Sequence, residues 1–545
     1  MKFPTLLRLR PALAGLLLVA AALPLATHSA AQQNAAPAAP PAASTAAPAA
    51  APTLPANARI ISCVRFAPPQ ILARDLMGVA RQVYPGMQTE LFPLLLLAKY
   101  GYPTFSGVSV QVPVASFLFG GPDLEDQGIV YLAMLTADSP ARAALSASMD
   151  SVTDPATGWT FFSTNPELLA LAQANAAALV KVAAQPFTGD FEWTLPTQQL
   201  DLFRADVQGV LQAQLTSLVL PPDAAKWTDF GLQEIGSLQA IRVILDCKSD
   251  AIRLTVLGAG KPGTPLAELF STPPAAPVPG AQYISADAPV VAVVRTDAPA
   301  LQNFLNHLIA DARAASSPGS HAPLDDLQKG VDLYLSHSDG TAVATVSWPG
   351  NLGKANVQFL AGSASANSTL AQQLNFLSQV VMPAVNQRVR LASNTAPPSS
   401  NGLYFGYTPG YFATASSSQN LTSLLQAVQS NQPAANNVAG AFVLKPGVLM
   451  VGKASPGILA AGLSSSGTLI PAVSPDTLAA LRSSTLPPVT FSAITGNNQA
   501  QLQVAVPVSS IVDVFRILNA PPAPPSTIQP VPASPASSPA VNPSN

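Results

Sequence analysis

Two stretches of this chain pass through the same order of local elements, and that correspondence limits the fold more than any other feature of the sequence. The first opens Ile60-Ile61-Ser62-Cys63-Val64-Arg65, turns at Pro68 and Pro69, and enters an apolar-periodic helix from Ile71 to about Val83. The second opens Val290-Val291-Ala292-Val293-Val294-Arg295, passes Pro299, and enters a helix from Leu301 to about Ala312. The opening runs are β-branched and the helices carry apolar residues three and four apart, so each is a β-turn-α unit on periodicity alone.

The parallel continues. Ile129 to Leu135 is a strand that leads through Asp138, Ser139 and Pro140 into a helix; Val357 to Leu360 leads through Gly362 and Ser363 into a helix from Leu370 to Val381. Trp159-Thr160-Phe161-Phe162 runs into a helix capped by Asn165 with Pro166 in its first position. Its counterpart is Tyr411-Phe412-Ala413-Thr414, followed by serine caps and a helix around Leu421, Leu424 and Leu425. Gly189 to Trp193 is matched with Gly440 to Leu444 as a strand. Each half closes on a hairpin and a short helix: Ile241 to Leu245, Ile252 to Leu257 and Pro265 to Phe270, then Val489 to Ile494, Leu502 to Val506 and Ser510 to Leu518. Ser249-Asp250 and Gly496-Asn497-Asn498 are the hairpin turns.

Repeats of this size are whole domains rather than solenoid units. The pattern predicts an α+β fold of two tandem, duplicated modules, with mixed or mostly antiparallel sheets and helices packed on one face. Alternation such as Arg253-Leu254-Thr255-Val256 supports a sheet with one polar and one apolar face. The first module spans 58–274 and the second 280–520.

The flanks have another character. Lys2, Arg8 and Arg10 precede the apolar run Ala12 to Leu23, and Ser29, Ala30 and Ala31 follow. That is the three-part pattern of a secretory signal over 1–31, shorter than the roughly 20 apolar residues of a membrane span. The segment 32–57 is a spacer rich in Ala and Pro, and 521–545 a Pro-rich tail; neither can bury enough apolar surface to offset chain entropy. The sequence therefore predicts export to the periplasm or beyond, with no transmembrane segment after cleavage.

Charge is scarce, at 10% of residues and a formal net of -2. No basic excess exists to neutralise phosphates, which argues against nucleic acid as a partner. From Gly340 to Asn545 seven basic residues face only Asp476 and Asp513, so the acidic excess lies in the N-terminal part.

Together the signal, the spacer and the two opening strands ending in Arg65 and Arg295 give the chain a likeness to known proteins. It resembles a group of uncharacterised exported bacterial proteins with a Pro/Ala spacer and a duplicated α+β module. The resemblance rests on pattern and brings no catalytic residues with it.

Constellations that carry chemistry are few. Cys63 and Cys247 would sit in an oxidising compartment, as a disulfide clamping the first module or as two separate thiols. With His307, His321 and His337 they are the soft and nitrogen ligands after the signal, and no zinc spacing exists among them, so no metal or cofactor is expected. Gly120 to Asp126 presents three carboxylates without EF-hand spacing and is read as a hairpin tip, matched by a second tip at Ser336 to Gly340. Gly462 to Gly467 misses the nucleophile-elbow spacing, and the Gly-Lys pairs at Gly260-Lys261 and Gly353-Lys354 lack a phosphate-loop frame. Asp325 and Asp326 suit a helix N-terminus. No catalytic, cofactor or metal residues are assigned. The expectation is an exported non-enzymatic scaffold or binding module for an envelope protein or an apolar ligand. The alternative is an extracytoplasmic hydrolase whose site assembles only in three dimensions.

Overall fold

The computed structural model describes residues 60–83, 108–119, 128–196, 236–271, 277–315, 321–347, 356–363, 404–457 and 485–518, apart from a few positions inside those ranges, and residues 477, 480 and 481. The signal, the spacer, the tail, the loop Gly120 to Asp126, the helix expected from Leu370 to Val381, Gly353-Lys354 and the stretch Gly462 to Gly467 lie outside them.

In the first half the strands are β1 (Ile60–Phe66), β2 (Val114–Phe119), β3 (Gly128–Met134), β4 (Asp150–Thr153), β5 (Trp159–Ser163), β6 (Phe191–Pro196), β7 (Leu238–Cys247) and β8 (Ala251–Gly260). Its helices are α1 (Pro69–Val83), α2 (Pro140–Ser146), α3 (Pro166–Ala174), α4 (Ala176–Ala183) and α5 (Pro265–Ser271). The second half has β9 (Val290–Arg295), β10 (Thr341–Ser347), β11 (Asn356–Gly362), β12 (Tyr404–Thr408), β13 (Tyr411–Ala415), β14 (Val448–Ala454), β15 (Val489–Gly496) and β16 (Gln499–Pro507). Between and after them lie α6 (Ala298–Ala315), α7 (His321–Leu335), α8 (Ser418–Gln429), α9 (Val438–Ala441) and α10 (Val508–Leu518).

All sixteen strands join one sheet in the order β12-β13-β11-β10-β9-β14-β15-β16-β8-β7-β6-β1-β2-β3-β5-β4, each antiparallel to its neighbours. The class is α+β. The two halves of the sheet join at the β8 and β16 ladder, where Thr255 faces Gln503, while the chain itself runs from β8 through α5 to β9.

Local chemistry explains the elements. Asn165 accepts hydrogen bonds from the backbone N–H groups of Glu167 and Leu168, with Pro166 as the first helical residue of α3. Ser139 caps α2 and Ser417 caps α8 in the same manner. Each such cap contributes about 1 kcal/mol. Where α8 ends, Asn431 takes the left-handed conformation at φ 50°, the helix stop that asparagine tolerates best after glycine.

Helices cover both faces of the sheet, which corrects the expectation of one covered face. Neighbouring residues of β5 show why. Phe161 packs with Phe117, Val130 and Leu132 beneath Leu169 of α3 and Leu179 of α4. Phe162 points the other way and packs with Phe66, Val114 and Ala133 against Leu72 of α1 and Leu145 of α2. Trp159-Thr160-Phe161-Phe162 is buried throughout, the mark of a strand enclosed on both sides. Each phenylalanine contributes roughly 2–3 kcal/mol by leaving water.

Two further expectations change. The stretch expected as a strand from Gly440 to Leu444 opens as a helix instead: Asn437 accepts a hydrogen bond from the Gly440 N–H and starts the short helix α9, Val438–Ala441, and the strand next to β9 is β14. Ser336 to Gly340 is not a hairpin tip but the link from α7 to β10, where Asp339 accepts hydrogen bonds from the Thr341 N–H and hydroxyl.

Candidate functional site

A strand alternates its side chains between two faces, and directly opposed partners share a face. β16 reads Gln499-Ala500-Gln501-Leu502-Gln503-Val504, so three glutamines share one face and apolar residues the other. Following opposed partners from Ile244 through Thr255, Gln503, Ser492 and Val451 to Val293 keeps to that face. Arg242, two residues from Ile244, leads through Thr194 to Cys63 on the same face. Cys63 belongs to the core under α3 and α4, and Val293 to the core under α8 and α9. The two helix layers therefore stand on one side of the sheet, with β7, β8, β16 and β15 between them.

Among the described helices, those that pack on these four strands are α1, α5 and α10. They belong to the opposite face: α1 joins the core of Phe66 and Phe162, α10 packs on α1, and a side chain at Gly260, whose face is that of Val256, would strike Ala267 of α5. The glutamine face is thus the floor of a strip four strands wide, on the order of 19 Å at about 4.8 Å per strand. Gln499, Gln501 and Gln503 are half-buried, and among the described residues none of their amides has a hydrogen-bond partner. Lys453 closes one margin, half-buried, its ammonium group pushed down by burial and held up in part by Asp287.

The other margin is a buried charge cluster. Arg65 on β1 pairs with Glu192 on β6, and Arg242 on β7 donates to the second oxygen of the same carboxylate at 2.9 Å. Thr194 donates to it as well. Arg65 also donates to the carbonyls of Val182 and Gln185, where α4 ends and a cation complements the helix dipole. In the second half Arg295 is buried likewise, but β14 holds no acid, and its Nε donates to the Val448 carbonyl at 2.8 Å. Burial lowers the affinity of Arg295 for its proton.

A second ionic cluster lies where β6 and β7 meet α1. Asp190 is 1% exposed; one carboxylate oxygen accepts from the Cys247 N–H at 2.6 Å and the other is buried without a partner. Burial pushes its carboxyl up to about 6. Asp75 on α1 is also buried, which alone would raise its carboxyl, but hydrogen bonds from Arg74 and Lys248 outweigh that and hold it below the usual range. Lys248 bridges Asp75 and Asp246, and its proton is held the more tightly for it.

The residues singled out in the sequence are scattered. Cys63 and Cys247 are both buried free thiols. Cys63 shares a row with Thr194 and Arg242, whereas Cys247 lies five residues further along β7 and two strands away. That spacing is on the order of 20 Å, far beyond the roughly 7 Å that a disulfide spans between Cα atoms. His307 pairs with Asp311 one turn on along α6, at 3.2 Å on a partly exposed surface. His321 opens α7 with its Nε2 buried. The His337 carbonyl accepts from the Ser363 hydroxyl. Asp325 pairs with Arg313. Gly260-Lys261 ends β8, and the glycine lets α5 approach. Among the described residues no group of three His, Cys, Asp or Glu side chains is placed for a metal, and no helix is long and apolar enough to cross a membrane. An open groove of about 380 Å³ lies between α5, Asn303 of α6 and Asn498 at the β15–β16 turn. Set against protein-family models, curated proteins and solved structures, the chain matches none.

Neither the strip nor the two ionic clusters figure among the residues picked from the sequence. The glutamine alternation of β16 is a readable signal for the first. The clusters join residues more than a hundred positions apart, such as Arg65 with Glu192 and Asp75 with Lys248, and have none.

Proposed function

We propose that this chain is an exported, non-enzymatic binding protein built from two copies of one eight-stranded module, and that it takes its partner on the strip where the copies meet. The observation that carries the reading is the row of three unengaged glutamine amides on a floor flanked by two helix layers. Side-chain amides that neither cap nor cross-link an element contribute little to the fold, and partly exposed donors and acceptors are what a polar binding surface needs.

Support for the duplication comes from strand order. Adding eight to β8-β7-β6-β1-β2-β3-β5-β4 gives β16-β15-β14-β9-β10-β11-β13-β12, the order of the other half read outward from the same junction. The helices follow suit: α5, which closes the first half, packs on α6, and α10, which closes the second, packs on α1. Such reciprocal packing is what a two-fold relation between two copies would produce. Export rests on the signal pattern over 1–31. The polarity of the strip favours a polar partner in the envelope over the apolar ligand that composition alone suggests.

The test is capture from envelope extracts by the full chain and by a Gln501→Ala/Gln503→Ala variant, with lipid analysis of the purified protein. Material retained by the native chain and lost by the variant is the expected result. Equal capture by both, or capture of nothing, rules the strip out; bound lipid would restore the apolar ligand.

A further inference from the structure

We infer that the strip binds a neutral, hydroxyl-rich glycan chain, an inference that rests on the strip being the binding surface. The chemistry of the floor selects the class. Each glutamine amide offers two donors and an acceptor without charge, and the hydroxyls of a sugar ring offer the same two functions side by side. Gln499, Gln501 and Gln503 stand two residues apart on one strand, about 6.8 Å from each to the next. Thr255, half-buried, and Ser492, buried, flank Gln503 on the adjacent strands in one row, and Leu257 and Ile494 flank Gln501. That makes a ladder of neutral donors and acceptors along β16, suited to a polymer laid lengthwise.

Charge excludes the anionic alternatives. The one carboxylate on this face of β7 and β8 is Asp246, at the margin, where it is engaged by Lys248 and Arg253. The cations on this face of β7, β8 and the margins are Arg242, spent on Glu192, Arg253, which pairs with Asp246 and Asp250, and Lys453. Among the described residues a polyanion would meet one uncommitted cation, Lys453, at one edge, too few for binding through charge.

A peptide is disfavoured for a different reason. β7, β8, β16 and β15 are interior strands with neighbours on both sides, so their backbone groups are spent in ladders and cannot take up an added strand. Beside the ladder the apolar side chains are Leu257 and Ile494, which flank Gln501, while Gln503 has Thr255 and Ser492 on either side. Sugar hydroxyls need no free strand edge.

The experiment is native affinity electrophoresis of the full chain in gels cast with dextran, hydroxyethylcellulose or soluble starch as neutral probes, and with heparin as the anionic one. Mobility is taken relative to polymer-free gels. The expected result is retardation by at least one neutral polymer, with apparent affinity lowered at least tenfold in Gln501→Ala/Gln503→Ala and the melting temperature kept. Should the double variant fail to fold, Gln503→Ala alone is expected to lower it at least threefold. No retardation by any neutral polymer, retardation by heparin alone, or neutral retardation unchanged in a folded variant overturns the inference. Gln-dependent capture from envelope extracts that excess neutral glycan does not compete away would sink the glycan and leave the binding surface standing. Absence of any Gln-dependent capture sinks both.

Discussion

Arg65 and Glu192 face each other on β1 and β6, 1% and 0% exposed, and Arg242 closes on the same carboxylate from β7. Two guanidinium groups around one carboxylate leave a net positive charge inside the protein. The carbonyls of Val182 and Gln185 absorb part of it by accepting from Arg65. The cluster thus ties three strands to the end of α4, and it forms the margin at which the first helix layer gives way to the glutamine strip.

Removing the shared carboxylate should hurt far more than replacing the whole cluster. Glu192→Gln leaves two buried cations facing an amide, and a loss of roughly 3–5 kcal/mol is expected in urea unfolding. A triple change of Arg65→Met, Glu192→Leu and Arg242→Met removes all three charges while keeping volume, and is expected to be much closer to neutral. If the triple variant is less stable than Glu192→Gln, the cluster stabilises by more than cancelling its own charges, and the account above is wrong.

Asp190 sets a pH dependence in which stability falls as pH rises. Its folded carboxyl titrates at about 6 against an ordinary 3.8, because burial disfavours the charge. The folded state therefore holds the proton more tightly than the unfolded one. The associated stability is complete below about pH 4 and is lost as pH rises through about 6. The difference corresponds to about 3 kcal/mol. The charges around it are Asp75 and Arg74 from α1, and Asp246 and Lys248 at the end of β7. Asp75, held below its usual range, acts in the opposite sense and loses its contribution as pH falls. Asp190→Asn keeps an acceptor for the Cys247 N–H and should flatten the decline between pH 4 and pH 7. Parallel stability profiles for both proteins in guanidinium unfolding would show that Asp190 does not carry it.

The legible part of this fold was local, and the illegible part depended on what lies across a strand. The β-branched runs of β1 and β9, the Asn165 and Ser139 caps and both closing hairpins announce themselves within a few residues. Gly440 to Leu444 reads as a strand from its apolar run, and only the hydrogen bond from the Gly440 N–H to Asn437, which starts α9, shows otherwise. Phe161 and Phe162 show that a strand is apolar on both sides, but not that helices from two different stretches cover it. Arg65 is conspicuous as a charge in an apolar run; its partner lies 127 residues away and nothing near it in sequence points there. The glutamine strip was readable as alternation, yet its meaning depends on which face the described helices occupy.

Two glycines with nearly the same φ should respond differently to alanine. Gly340 at φ +82° follows α7 into β10, and an added Cβ would sit 1.9 Å from the Thr296 carbonyl oxygen. Gly410 at φ +81° turns β12 into β13 with nothing within 4 Å of the same position. Gly410→Ala should therefore cost only the left-handed backbone, about 1–2 kcal/mol. Gly340→Ala must also displace a backbone carbonyl that accepts no substitute position cheaply, and a loss of at least about 3 kcal/mol is expected. Equal shifts in the thermal midpoint would mean that the turn before β10 relaxes freely.

The two thiols offer the last test. Burial raises both, Cys247 to about 12 with help from Asp190, and Cys63 further still although Arg65 pulls against it. A thiol held in its neutral form inside a core is a poor nucleophile, so neither should react with a thiol-exchange reagent at pH 8 while the protein is folded. In denaturant without reductant, two equivalents should be released. None in denaturant would mean that Cys63 and Cys247 are joined, which requires β6 to leave its place between β1 and β7 as well as a shift of β7 by several residues, because two strand spacings of about 4.8 Å exceed what a disulfide spans; the pairing of Thr194 with Arg242 would break. A one-residue slip already exchanges the two faces of a strand, and a larger one would dismantle the rows that place Gln503 beside Thr255. The thiol count therefore reports on the register of the strip as well as on the redox state of the chain.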